Sequence, residues 1–319
     1  IELKLDTEDK RRLRGLTFNT LSDLYDKIGD TKKAIHYAQM GFNYSARNSK
    51  SGKELSQAHE DFAYFLISAI PNIHAKSKIL DQYLYHMERA HLLNKESIRI
   101  AENLSQMYEN HGDFKKSIEV ISETLKNLID DSFSSARLNL RLGKTLLLIG
   151  DRDLGGNKIF NAFLSIKSRT DLTVNQKIPF YIVFATSIQS KNPNLSLKVL
   201  LELQEMLLEA NHKKIYAEVE GYIGNSYLIQ RDTQNALKHT INQFEIYKNL
   251  EVYTKSEMST ESFFSPNLRP GEKIFNSKHI NDLDKNLRIS NSLARLGQIS
   301  FVQRNYIEAA SILKSHLDS

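Results

Sequence analysis

Arg137, Arg141 and Lys144 stand at i, i+4 and i+7, a spacing that lines three side chains along one ridge of a helix. The stretch around them, "SARLNLRLGKTLLL" (135–148), holds no acid to neutralise them. Such a ridge suits a carboxylate or phosphate, each cation supplying a charge-assisted hydrogen bond. The alternative is that facing acids, such as Glu102 or Asp171, hold it as part of the packing.

The other residues able to do chemistry are scattered. Ten histidines are spread along the chain, and His86 and His91, five apart, do not share a helical face. The H-E-x-x-H pattern is absent, so helix packing or a surface position is expected for each rather than metal ligation. The carboxylate pairs Glu202/Glu205 and Asp130/Asp131 fall where charged faces or helix ends are expected. "GDRDLGGNK" (150–158) lacks the phosphate-loop spacing and reads as a turn between helices. No G-x-S-x-G is present. With no cysteine, disulfides, thiolate metal sites, iron–sulfur clusters and a thiol nucleophile are excluded. No catalytic residue, metal site or cofactor is therefore expected. An active site assembled across distant stretches is the one enzyme form left open.

The elements that must position these residues are helices. The 319 residues include only 5 Pro and 13 Gly and no Trp, which disfavours a turn-rich β fold. The net charge of +5 is mild, with acids and bases interspersed. That pattern suits a solvated surface, not a nucleic-acid arm. The longest apolar runs, such as "FYIVFA" (180–185), are too short to span a bilayer. The absence of cysteine is compatible with an oxidising compartment and points to the extracytoplasmic side. The chain begins with Ile1 and shows no signal-peptide core, so an excised, mature or trimmed fragment is expected, with room for an effector domain in its flanks.

A recurrence organises the chain. "DLYDKIGDTKKAI" (23–35) and "QMYENHGDFKKSI" (106–118) share Tyr, Gly-Asp, Lys-Lys, a small residue and Ile at the same offsets. Related stretches carry Gly150-Asp151 with Gly155, Asp232 with Ala236, and Gly297 with Tyr306, Ala309 and Leu317. Each reads as helix, tight turn, helix. The Gly accepts the left-handed conformation that ends the first helix, and the Asp caps the second. Small residues (Ala34, Ser117, Gly155 and Ala236 on second helices; Gly143, Gly224 and Gly297 on first helices) let paired helices approach closely. Two further units fit residues 53–93, with a stretched loop around Pro71, and 176–210, with Pro193 near the start of its second helix.

This pattern resembles the tetratricopeptide repeat (TPR), a unit of about 34 residues with large and small residues in this order. Here the spacing is about 38–42 residues, so the units are long or degenerate. The resemblance implies an all-α, right-handed TPR superhelix (an α-solenoid) of about seven helix pairs. Units one to six are expected over 1–252 and a terminal pair over 284–319. An irregular insertion over 253–283 separates them, and its Phe263, Phe264 and Phe275 either pack on the array or touch a ligand.

In TPR arrays the first helix of each pair lines a concave groove that holds peptides or partner helices. Carried over by motif offset, the resemblance implies ligand-binding positions at Asn19 and Asp23; at Arg99, Asn103 and Gln106; at Arg137, Arg141 and Lys144; at Tyr222 and Asn225; and at Asn291, Arg295 and Gln298. An Asn on a groove wall can meet both the N–H and the C=O of a bound backbone. The family's two-carboxylate clamp is matched only in part, since the expected Lys is missing from the first and third units. At the level of architecture the chain also resembles peptide-sensing regulators of low-GC bacteria. The implied function is a peptide- or protein-binding module, the sensory or scaffold region of a larger bacterial regulatory protein, with a periplasmic setting favoured over a cytoplasmic one. Neither nucleic-acid contact nor membrane insertion is expected, and a homodimer is compatible with the pattern. The alternatives are an enzyme or enzyme accessory with a small-ligand pocket inside the array, and a structural assembly subunit.

Overall fold

The computed structural model describes residues 7–68, 78–128, 132–210, 212–249, 277–303 and 311–312. The Gly-Asp turns organise it. Gly29, Gly112 and Gly150 have φ of 85°, 76° and 89°. The amide of the following Asp reaches back five residues: Asp30 to Tyr25, Asp113 to Tyr108 and Asp151 to Leu146, at 2.8–2.9 Å. Each glycine amide reaches back three residues, at 3.0–3.1 Å. This pair of bonds is a Schellman closure, which satisfies carbonyls that a helix end otherwise strands. The same Asp then caps the next helix: its side chain accepts the amide of Lys33, Lys116 or Leu154 at 3.1–3.2 Å. A fourth turn has the same bonds without a glycine. Asp232 N–H reaches Tyr227 at 2.9 Å, and Arg231 takes the left-handed position with φ 64°.

Among the described residues these turns, with longer connections, join thirteen helices: α1 (Thr7–Ile28), α2 (Thr31–Asn48), α3 (Gly52–Ser68), α4 (Lys78–Leu93), α5 (Ile98–Asn110), α6 (Phe114–Asn127), α7 (Ser132–Leu148), α8 (Arg152–Lys167), α9 (Val174–Ile188), α10 (Pro193–Ala210), α11 (Lys213–Ile229), α12 (Thr233–Asn249) and α13 (Ser277–Val302). Odd-numbered helices are the first of each pair (A helices) and even-numbered ones the second (B helices). No strand occurs among the described residues, so the all-α expectation holds. α13 starts at Ser277, inside the segment expected to be irregular. Ile280, Leu283 and Leu287 give its first turns a helical period without Pro or Gly. Pro71, Asp130, Asp131, Phe263, Phe264, Phe275, Tyr306, Ala309 and Leu317 lie outside the described residues.

Within a pair, small residues twelve apart bring the helices together. Ser22 Oγ donates to the Ala34 carbonyl at 3.0 Å, and Ser105 and Ser117 share a hydrogen bond of 2.8 Å. Gly143 faces Gly155, and Gly224 faces Ala236. These are the close approaches expected from the repeat. Packing divides the chain into two units, one reaching Ser134 and the other starting at Ser135. In the first, α1 to α6 pack each on the next, around Phe62, Leu66, Tyr83, Met87, Ile100 and Leu104. In the second, α7 to α13 do so. Its core is centred on Phe163, stacked on Phe184 at 4.4 Å and edge-on to Tyr181 at 5.0 Å. Among the described residues no helix is long and apolar enough to cross a membrane.

Candidate functional site

Every residue expected to bind ligand lies on an A helix. In the first unit, two rungs join α3 to α5. Arg99 Nη2 donates to Glu60 Oε2 at 2.8 Å and to Gln57 Oε1 at 3.2 Å. Asn103 Nδ2 donates to the Tyr64 hydroxyl. Both rungs span 39 residues, so the two helices run in register. Gln57 in turn donates to Asp61 at 2.7 Å, and Gln106 donates to Asn110 at 3.1 Å.

Glu60 is 1% exposed, whereas Arg99 is 58% exposed. Glu60 Oε1 is buried and has no hydrogen-bond partner among the described residues, and the same holds for the hydroxyl of Tyr83 on α4. Burial pushes the Glu60 carboxyl up, with the Arg99 guanidinium opposing. Burial, then the Glu60 charge, pushes the Tyr64 hydroxyl up. On α1, Asn19 and Asp23 are exposed. The Asn19 carboxamide lies against Gly41 of α2, where a Cβ would come within 2.9 Å of it.

In the second unit, Gln189 at the end of α9 links to α11. Its Nε2 donates to the Tyr222 carbonyl and to Ser226 Oγ, both at 2.8 Å, and its Oε1 accepts Asn225 Nδ2 at 2.8 Å. α13 is fastened to α11 and α12 by two arginines. Arg288 pairs with Glu218 and donates to the Tyr247 hydroxyl at 3.3 Å. Arg295 donates to the Gly221 carbonyl at 2.7 Å and to Gln243 at 3.1 Å. A Cβ at Gly221 would stand 2.2 Å from Gln243 Nε2 and 2.6 Å from Arg295 Nη1, so these two side-chain ends would have to shift to admit one. Burial pulls the Arg295 pKa below the ordinary guanidinium value. It also pushes the Tyr222 hydroxyl up, with Glu218 adding and both arginines opposing.

Arg137 and Arg141 are half-buried on α7 and Lys144 is exposed, and all three are engaged within the molecule. Asp171, one of the acids considered for them, is bonded to Arg169 Nε at 2.9 Å. Asn291 and Gln298 are exposed on α13.

Motif offsets do not single out Glu60, Tyr64 or Gln189. Each sits on or beside an A helix of a diverged unit, where no Gly-Asp turn set the offset. A signal was present: Glu60 and Tyr64 are four apart, as are Arg99 and Asn103, and 39 residues separate the two pairs.

The first unit also holds two features that involve its B helices. A cavity of about 380 Å³ opens between α4, α5 and α6, with Glu88, Arg89, His91, Lys95, Tyr108 and Glu123 in its wall. Most of its charges are met internally. Lys95 pairs with Glu123 at 2.6 Å, Tyr108 donates to Glu88, and His91 Nε2 meets Thr124 Oγ1 at 2.9 Å. Nearby, His59 Nδ1 and His86 Nδ1 lie 2.9 Å apart, with Phe42 and Phe62 packed around the His86 ring. Burial pulls His91 and His59 down, and burial together with His59 brings His86 down to about 4. Both of the histidines that stand five apart, His86 and His91, are thus packing groups. Among the described residues no cluster of three or more potential metal ligands occurs.

No family model matches the sequence, and no curated protein matches it. Solved structures do. BtubC (BKLC) from P. vanneervenii matches with a TM-score of 0.55 at 13% identity, over 75% of this chain and 87% of that one. The apo form of RapI matches with a TM-score of 0.56 at 13% identity, over 95% of this chain and 75% of that one. YrrB, described as a TPR protein with an unusual peptide-binding site, gives 0.44 at 13% identity, over 69% and 97%. Paired helices, their shared Schellman turns and the small residues twelve apart identify the fold as the TPR type.

Proposed function

We propose that this chain is a peptide- or protein-binding module, the sensory or scaffold region of a larger bacterial regulatory or signalling protein, with its ligand along the A helices. One observation carries the reading. Asn103 and Asn225 are each pinned through their Nδ2 to the neighbouring A-helix element, and the Oδ1 of each has no partner among the described residues. Both side chains are only partly buried. A carboxamide fixed in this way presents a pre-oriented acceptor to a backbone N–H, and fixing it beforehand lowers the entropy lost on binding. Over the described A-helix side chains of the second unit, cations outnumber acids eight to two, which favours acidic groups on a ligand held there.

The test is selection from a random peptide display library on the immobilised chain. Enriched peptides should bind Asn103→Ala or Asn225→Ala roughly tenfold more weakly, the worth of about one hydrogen bond. Failure to enrich any peptide, or affinity unchanged in both variants, rejects the reading. The cavity between α4 and α6 supports a second reading, a small-ligand accessory, since its volume lies within the range of ligand pockets.

A further inference from the structure

Among the described residues Glu60 Oε1 has no partner in hydrogen-bonding geometry, although the Tyr64 hydroxyl lies near enough to the carboxylate to help hold its pKa down against burial. Its resident partner, Arg99, reaches it through one nitrogen, Nη2, which it divides between Glu60 Oε2 and Gln57 Oε1. A guanidinium in fork geometry would meet both carboxylate oxygens, yet here Oε1 is buried and unmet. The Tyr83 hydroxyl nearby is unmet as well. It lies close enough to Glu60 and Tyr64 for their charges to add to the upward push of burial on its pKa. Buried polar atoms without partners are unusual in a folded protein. Arg99 covers the spot from outside, more than half exposed, about 6.0 Å from the Tyr64 ring centre. The surroundings suit a cation. Over the described A-helix side chains of this unit acids outnumber cations seven to three, and over its B helices cations outnumber acids eight to four.

We infer that Glu60 anchors a cation subsite on the α3–α5 side of the first unit, which takes the guanidinium or ammonium of a basic peptide residue, with Arg99 as a resident stand-in that swings out when the ligand enters. This rests on the peptide-binding reading and adds the ligand's chemistry: a segment carrying Arg or Lys. The unused Oε1 and the flanking Tyr64 and Asn103 would orient the incoming group, and the tethered Arg99 would compete with it.

The test titrates the whole chain with two probes, an acetylated hexa-arginine amide and a hexa-glutamate peptide, by calorimetry. In separate titrations the arginine peptide should bind, and any binding of the glutamate peptide should not weaken in Glu60→Gln. Glu60→Gln, which keeps the shape and removes the charge, should weaken arginine-peptide binding roughly tenfold or more. Asp61→Asn, an exposed acid one residue away, should change it less than threefold. Arg99→Ala should tighten binding by removing the competitor. Equal losses in Glu60→Gln and Asp61→Asn would overturn the inference, because attraction would then be diffuse. So would unchanged affinity in Glu60→Gln, the result expected if an internal water alone fills the gap, and so would weaker binding in Arg99→Ala. Each of these outcomes leaves the peptide-binding reading standing, since that is judged on library peptides with Asn103 and Asn225 variants.

Discussion

Gly143 of α7 and Gly155 of α8 oppose each other so closely that a Cβ on either would stand 2.8 Å from the carbonyl oxygen of the other. Gly143 is tighter still, since its Cβ would also meet Ile159 Cγ1 at 2.6 Å. Gly143→Ala must push the helices apart and should destabilise by roughly 1–3 kcal/mol, the usual cost of overpacking. Gly156, next in sequence, has nothing within 4 Å of its would-be Cβ. Gly156→Ala should therefore stabilise, by roughly 0.5–1 kcal/mol from helix propensity. Urea unfolding of the two variants checks the contrast; equal midpoints would mean the pair does not meet as described.

Arg231 offers a gain in stability. It holds the left-handed position that glycine occupies in three sister turns, and that conformation costs an L-residue roughly 1–2 kcal/mol. Part of the relief is lost to glycine's greater freedom in the unfolded chain. Arg231→Gly should raise stability by a net amount of about 0.5–1 kcal/mol, read as a higher melting temperature. Gly112→Ala should do the reverse. A fall in melting temperature for Arg231→Gly would show that its side chain matters more than its φ.

How legible this was depends on how local each cause is. Gly29-Asp30, Gly112-Asp113 and Gly150-Asp151 announce a turn within two residues, and the small partner follows twelve residues after its counterpart. The pairs could therefore be read directly. Arg231 broke the glycine pattern, and Asp232 alone kept that turn recognisable. Glu60 and Gln189 depend on neighbours 39 and 36 residues away, across units whose turns had diverged, so no local signal marked them. The ridge of Arg137, Arg141 and Lys144 was legible as a ridge, but spacing within one helix says nothing of the partners these cations meet.

Asn225 carries a structural burden beside its proposed role. Its Nδ2 satisfies Gln189 Oε1, and Gln189 is buried. Asn225→Ala leaves that oxygen without its donor and should cost roughly 1–3 kcal/mol. Asn291→Ala, at an exposed position on α13, should change stability by less than about 0.5 kcal/mol. Thermal melts of both decide it; equal losses would remove Gln189 from the account.

Acid should loosen the first unit. His86 is held down to about 4, by burial first and then by the charge of His59, and burial with the Arg89 charge holds His59 down. In the unfolded chain both take up protons near 6.5, so between that pH and about 4 the unfolded state binds more protons. The stability contributed by the neutral pair is complete above 6.5 and is lost as pH falls through this window. His86→Asn, which can keep a bond to His59 without titrating, should flatten the decline. Urea midpoints at pH 7, 6, 5 and 4 check it, and parallel curves for variant and parent would refute it.

While both are neutral, the same two rings have a further consequence. A hydrogen bond between Nδ1 and Nδ1 carries a single proton, so one imidazole must be the Nδ1–H tautomer while the other keeps its hydrogen on Nε2. Side chains of identical type are thereby made chemically distinct. Nitrogen-15 spectra should resolve opposite tautomers at His59 and His86, and whichever ring faces the stronger acceptor through its Nε2 decides which is which.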